Sequence, residues 1–118
     1  KKNMQTLRIK NLKLRIIVGI NPEERVHKQD VLINITADID NSKAIQTEDI
    51  NDTLNYRNLA KSVIDFVEKS EFYLLDALVD KVLNLVMSDD MVIRATVEID
   101  KTTVLRYCDS VSLSESSE

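Results

Sequence analysis

A chain of 118 residues with 43% hydrophobic content has the material for one domain, residues 1–118, built around one core. A formal charge of -4 and a pI near 5.0 disfavour a nucleic-acid partner, because no basic stripe is available to neutralise phosphates. One histidine, His27, and one cysteine, Cys108, exclude an internal disulfide and a cysteine metal cluster, and remove most zinc and triad arrangements. One glycine and one proline exclude glycine-rich phosphate loops. Any catalysis must therefore come from Lys, Tyr, Asp and Glu side chains or from backbone groups. No apolar run is long enough to span a bilayer. The basic opening Lys1-Lys2-Asn3-Met4-Gln5 is followed by no apolar h-region, so no signal peptide is expected. The expected compartment is the cytoplasm.

In chain order, Leu7 and Ile9 share one alternation phase, while Leu12, Leu14, Ile16 and Val18 share the other. A bulge near Lys10-Asn11 accounts for the change. Residues 19–30 hold the only Gly and Pro among many charges and read as a loop. Val31, Ile33, Ile35, Ala37 and Ile39 then alternate with polar partners, which predicts a strand antiparallel to the first. Residues 41–54 read as an irregular connection with at most one helical turn. Leu59, Val63, Phe66 and Val67 recur at helical spacing, widened by Ala60 and Ile64, with Asn55 as N-cap. A second helix is predicted from about Leu74 to Met87, its apolar face formed by Leu75, Leu78, Val79, Val82, Leu85 and Val86.

Met91, Ile93, Ala95, Val97 and Ile99 predict a third strand, and the next residue in that apolar phase is Lys101. One reading is that Lys101 snorkels to water and guards an edge. The other is an amine held against apolar surface, the condition under which a lysine becomes a base. Tyr107, Asp109, Val111 and Leu113 predict a fourth strand, and the tail after it reads as frayed. The order strand, strand, helix, helix, strand, strand gives an α+β fold: a four-stranded antiparallel sheet with both helices on one face. Its two open edges invite copies of the chain to close a ring.

Seven stretches carry a resemblance. They are Leu7-Arg8-Ile9-Lys10-Asn11-Leu12, Val18-Gly19-Ile20, Glu48-Asp49-Ile50-Asn51-Asp52, Leu54-Asn55-Tyr56-Arg57, Leu74-Leu75-Asp76, Val97-Glu98-Ile99-Asp100-Lys101, and Leu105-Arg106-Tyr107 with Asp109-Ser110-Val111-Ser112. Together, from about Leu7 to Leu113, the chain resembles the dihydroneopterin aldolase family. Within it the chain looks closest to the branch called dihydroneopterin triphosphate 2'-epimerase. The resemblance implies the tunnelling fold, in which four protomers close a barrel and two rings stack into a homo-octamer. It implies pterin pockets between neighbouring protomers and no metal or organic cofactor.

The resemblance also implies site residues. The family's catalytic lysine falls on Lys101, its pocket tyrosine on Tyr56 and its loop acid on Glu24. Its pterin-anchoring glutamate falls on Asp76, which keeps the carboxylate but is one methylene shorter. Leu54 and Leu75 border the implied substrate pocket. After Lys101, aldolases of the family tend to carry Pro or Gly. Here Thr102-Thr103-Val104 follows, which favours the epimerase branch, although Thr103 stands near where epimerases carry a histidine. Each residue also has a structural reading. Tyr56 can close a helix N-terminus, Asp76 can complement a helix dipole, and Glu24 can be a solvated loop charge. Three functions follow: a triphosphate epimerase, an aldolase releasing glycolaldehyde and 6-hydroxymethyl-7,8-dihydropterin, or a non-catalytic oligomeric pterin-binding protein.

Overall fold

The structure is a computed structural model that describes residues 2–102 and 106–118. The expectations that fall on residues 103–105, including Thr103, Val104 and Leu105, lie outside the described residues. Strand β1 (Met4–Ile16) pairs antiparallel with β2 (Gln29–Asp40), β2 with β3 (Val92–Lys101), and β3 with β4 (Val111–Ser116). Strand order in the sheet follows the chain, so every connection joins neighbours.

The predicted phase change in β1 is a bulge. The register passes from Ile9↔Ile35 to Leu12↔Ile33. Asn11 takes φ 53, which Asn tolerates better than most residues, and its amide donates to Asn34 Oδ1 at 2.8 Å. A second bulge was not expected. Ile39 pairs with Val92 and Asp38 with Arg94, leaving Ile93 as the extra residue. Val92 therefore faces the core at 7% exposure while Ile93 faces out at 48%. From Ala95 to Ile99 the predicted phase holds, and Val97 and Ile99 are fully buried.

The helical layer covers one face. Helix α3 (Tyr56–Glu68) is capped by Asn55, whose side chain accepts from the Arg57 and Asn58 amides. It buries Leu59, Val63 and Val67 against the β1 side of the sheet. Helix α4 (Leu75–Met87) buries Leu78, Val79, Val82, Leu83 and Val86 over β3 and β4. Phe66 sits at the margin of its stripe and packs on Phe72, ring centroids 6.2 Å apart. The core between these layers includes Ile16, Ile33, Ile35, Leu78 and Ile99, each worth about 1.5–3 kcal/mol relative to exposure.

The connections hold more order than the sequence suggests. Residues 19–30 contain a short helix α1 (Pro22–Val26) with Pro in its first turn. Residues 41–54 contain α2 (Ser42–Thr47), closed by Glu48 at φ 54, and a 3-10 turn (Ile50–Asp52) capped by Asp49. The fourth strand starts at Val111 rather than Tyr107, because residues 106–109 turn. The tail is paired rather than frayed: Glu115 lies opposite Val97, and the Ser117 amide donates to the Ala95 carbonyl at 2.8 Å. Leu113 lies opposite Ile99 on the core-facing side of β4, yet is 38% exposed on this edge strand. Among the described residues, no helix is long and apolar enough to cross a membrane.

Candidate active site

Strand β3 ends on Lys101, whose partner in β2 is the buried Val31. The lysine shares the core-facing side of the sheet with Ile99, and its side chain is only 13% exposed. It does not snorkel. Its Nζ donates to Glu24 Oε2 at 2.9 Å, across 77 positions of sequence.

Glu24 reaches this position because of α1. It is the third residue of that helix, and its Oε1 accepts from the Asn21 amide at 3.2 Å, half of a capping box. Gln29, at the start of β2, bonds the same carboxylate through Nε2 at 3.3 Å and the Val18 carbonyl at 2.7 Å. Gly19 makes room for the arrangement. Its φ is 126, and a Cβ there would overlap the Glu24 carboxyl group. The single glycine of the chain thus marks where backbone and carboxylate meet. Gln29 was not singled out from sequence. Its type and position carry no distinctive signal until α1 turns Glu24 toward it.

The Lys101 hydrogen bond is the largest influence on Glu24 and holds its carboxyl below the ordinary value of 4.5, against a smaller opposing effect of burial. The Asn21 and Gln29 hydrogen bonds act in the same direction as Lys101. A lowered folded value means stability that is present above the ordinary value and lost as pH falls through the folded one. Thermal stability is therefore expected to decline on acidification below pH 4.5. Glu24→Gln should remove part of that decline, as measured by melting temperature across the acid range. The remaining part belongs to Asp38, Asp40 and Asp52, whose carboxyls are also lowered, chiefly by hydrogen bonds from Arg94, Ser42 and Thr47 respectively.

Leu75 and Asp76 open α4. This helix runs back along β3, so its first turn lies toward the Lys101 end of the sheet. Its N-cap residue, Leu74, has no side-chain acceptor to satisfy the first-turn amides, whereas Asn55 supplies one for α3. Asp76 is exposed beside those amides. Tyr73 and Leu74, just before them, are 63% and 54% exposed, so this end of the molecule presents apolar surface next to a carboxylate and backbone donors.

Leu54 and Tyr56 are elsewhere. They line a cavity of about 180 Å³ with Leu7 and Ile39, among others. Ile39 stands eight residues along β2 from Val31, the partner of Lys101, which is about 26 Å at the rise of a strand. Within one protomer the predicted site residues thus form two groups. Glu24, Lys101, Leu75 and Asp76 lie at one end of the sheet, and Tyr56 and Leu54 at the other.

Comparisons with known proteins agree on the family. The family model for FolB, dihydroneopterin aldolase, matches residues 7–114. The chain is 48% identical over 107 residues to the dihydroneopterin triphosphate 2'-epimerase of Escherichia coli K12, covering 91% of this chain and 89% of that one. It is 43% identical over 110 residues to the Pseudomonas aeruginosa protein of the same name, covering 93% and 89%. The fold matches that of Escherichia coli dihydroneopterin aldolase in complex with neopterin, with TM-score 0.91 and 21% identity over 97% of this chain and 99% of that one. On the family match and on these identities, the chain belongs to the dihydroneopterin aldolase family.

Proposed function

We propose that the protein is a 7,8-dihydroneopterin triphosphate 2'-epimerase that works by retro-aldol and aldol chemistry on the pterin side chain. The observation that carries this reading is identity of 43–48% over nine-tenths of the chain to proteins of that name. The Glu24–Lys101 pair supplies acid–base groups suited to the chemistry. Lys101, acting directly or through a water, takes the proton of the 2'-hydroxyl. The C1'–C2' bond breaks, C2' becomes an aldehyde carbon, and the electron pair moves into the pterin ring, where N5 takes a proton. The ring is its own electron sink, so the reading needs no metal or organic cofactor. The aldehyde then rotates while held, N5 gives its proton back, and C1' attacks the aldehyde's other face. C2' closes with the opposite configuration, and the proton returns to its oxygen.

The other roles follow from placement. Glu24 holds the Lys101 amine in position and can pass a proton with it. Asp76 accepts from the pterin's amino group and ring N–H, and the first-turn amides of α4 face the same heterocycle, bordered by Leu75. Tyr56 and Leu54 come from the neighbouring protomer, because they lie at the far end of their own. Tyr56 orients the 2'-hydroxyl or relays its proton. A ring of protomers supplies such neighbours, and exposed Leu113 on the core-facing side of edge strand β4 favours that pairing. We infer a homo-octamer of two stacked tetramers acting in the cytoplasm.

Incubation with dihydroneopterin and with its triphosphate, followed by separation of the diastereomers and assay of glycolaldehyde, tests the reading. The triphosphate should yield its 2'-epimer with little cleavage. Glycolaldehyde and 6-hydroxymethyl-7,8-dihydropterin as the main products would instead establish the aldolase, the activity for which the family is named. The anchor has its own test. Asp76→Asn should weaken neopterin binding about tenfold or more, since one acceptor becomes a donor and the charge is lost. Unchanged affinity by fluorescence titration would leave Asp76 as a helix-terminus carboxylate only.

A further inference from the structure

We infer that Arg25 is a positioning residue that fixes the pterin-holding start of α4 relative to the Glu24–Lys101 pair, an inference that rests on the functional reading above. Arg25 follows Glu24 on α1, and adjacent residues of a helix point about 100° apart. Glu24 consequently turns toward Lys101 while Arg25 turns toward the linker between α3 and α4. There its guanidinium bridges two segments. Nη1 donates to the Gly19 carbonyl at 2.9 Å and to the Phe72 carbonyl at 3.1 Å, and Nη2 donates to the Glu71 carbonyl at 2.6 Å. The carbon of the guanidinium lies 3.8 Å from the centroid of the Tyr73 ring. The Phe72 carbonyl also accepts from the Gly19 amide at 3.1 Å, so the loop and linker are tied at two points.

The linker leads within three residues of Tyr73 into Leu75 and Asp76. The loop carries Glu24 and the glycine that admits its carboxylate. The clamp therefore sets the offset between the group that holds the heterocycle and the group that moves the side-chain proton. An offset error near 1 Å is enough to cost about 10²-fold in rate. A planar fork with parallel donors reaches three carbonyls at once, whereas a lysine ammonium offers a single point of charge.

Arg25→Met keeps the stem and removes the donors; Arg25→Lys keeps the charge and removes the fork. Both are measured as the assembled oligomer, beside wild type, for amide hydrogen exchange, neopterin affinity and the split between KM and kcat. With Arg25→Met, exchange across residues 72–77 should accelerate about tenfold while α3 stays protected. Neopterin should bind about fivefold more weakly or worse, with KM rising in step. Arg25→Lys should recover less than half of either change. Unchanged exchange in Arg25→Met overturns the inference. Faster exchange with wild-type neopterin affinity, KM and kcat also overturns it, leaving Arg25 a structural tie. A variant that fails to assemble leaves the decision to Arg25→Lys on the same measures. Wild type that binds no pterin overturns the functional reading itself, an outcome distinct from variants that bind as wild type does.

Discussion

Lys101→Ala should lower epimerisation by about 10²–10⁴-fold, the range typical of a removed acid–base group. The amine is the only group of its kind placed on the core-facing end of β3, 13% exposed and 2.9 Å from Glu24. The substitution should leave the sheet intact. Val31 keeps its backbone pairing at that position, and Glu24 keeps its bonds to the Asn21 amide and to Gln29. Binding of neopterin should change far less than turnover, because the heterocycle is assigned to Asp76 and the first turn of α4. Lys101→Arg should not restore the rate, since a guanidinium does not release its proton near neutral pH. Steady-state kinetics and neopterin titration on the same preparations check both halves. Near-wild-type turnover in Lys101→Ala would make the Glu24–Lys101 pair a structural ion pair and move the proton transfer elsewhere.

Much of the fold was legible because alternation and helical spacing are strong signals in the long elements. Val31 to Ile39 and Leu75 to Val86 read directly as one face of a strand and one face of a helix. The bulge at Lys10-Asn11 was legible because apolar residues on both sides of it disagree in phase. The bulge at Ile93 was not, because Met91, Val92 and Ile93 are all apolar and either phase fits. Tyr107 and Asp109 simulated two more steps of β4, yet Asp and Ser there favour turns. Of the candidate site, Lys101 was legible as a charge in an apolar phase, while Glu24 and Asp76 were named only through the family resemblance. The Lys101–Glu24 bond spans 77 positions and depends on a single turn of helix that one proline and one capping box create. Arg25 gave no signal at all, because its partners are three backbone carbonyls and a ring, and no residue pattern encodes those.

A second large effect should come from mixing chains rather than changing one. Tyr56→Phe, like Lys101→Ala, should slow turnover roughly 10²-fold or more if its hydroxyl relays the substrate proton. Lys101 pairs with Val31, and Tyr56 lines a cavity with Ile39, eight residues and about 26 Å farther along β2. On the proposed reading, one pterin therefore meets Lys101 of one chain and Tyr56 of the next. Oligomers reassembled from equal amounts of Lys101→Ala and Tyr56→Phe chains must therefore contain sites in which an intact Lys101 meets an intact Tyr56 from next door. Random assembly in a closed ring gives such sites in roughly one case in four, so the mixture should recover roughly a quarter of wild-type activity. The same chains assembled separately and then combined without exchange should recover none, which separates complementation from contamination. Full activity of Tyr56→Phe alone would reduce that tyrosine to closing the start of α3. Two inactive parents that give an inactive mixed oligomer would confine the site to one protomer and remove Tyr56 from the neighbour's pocket.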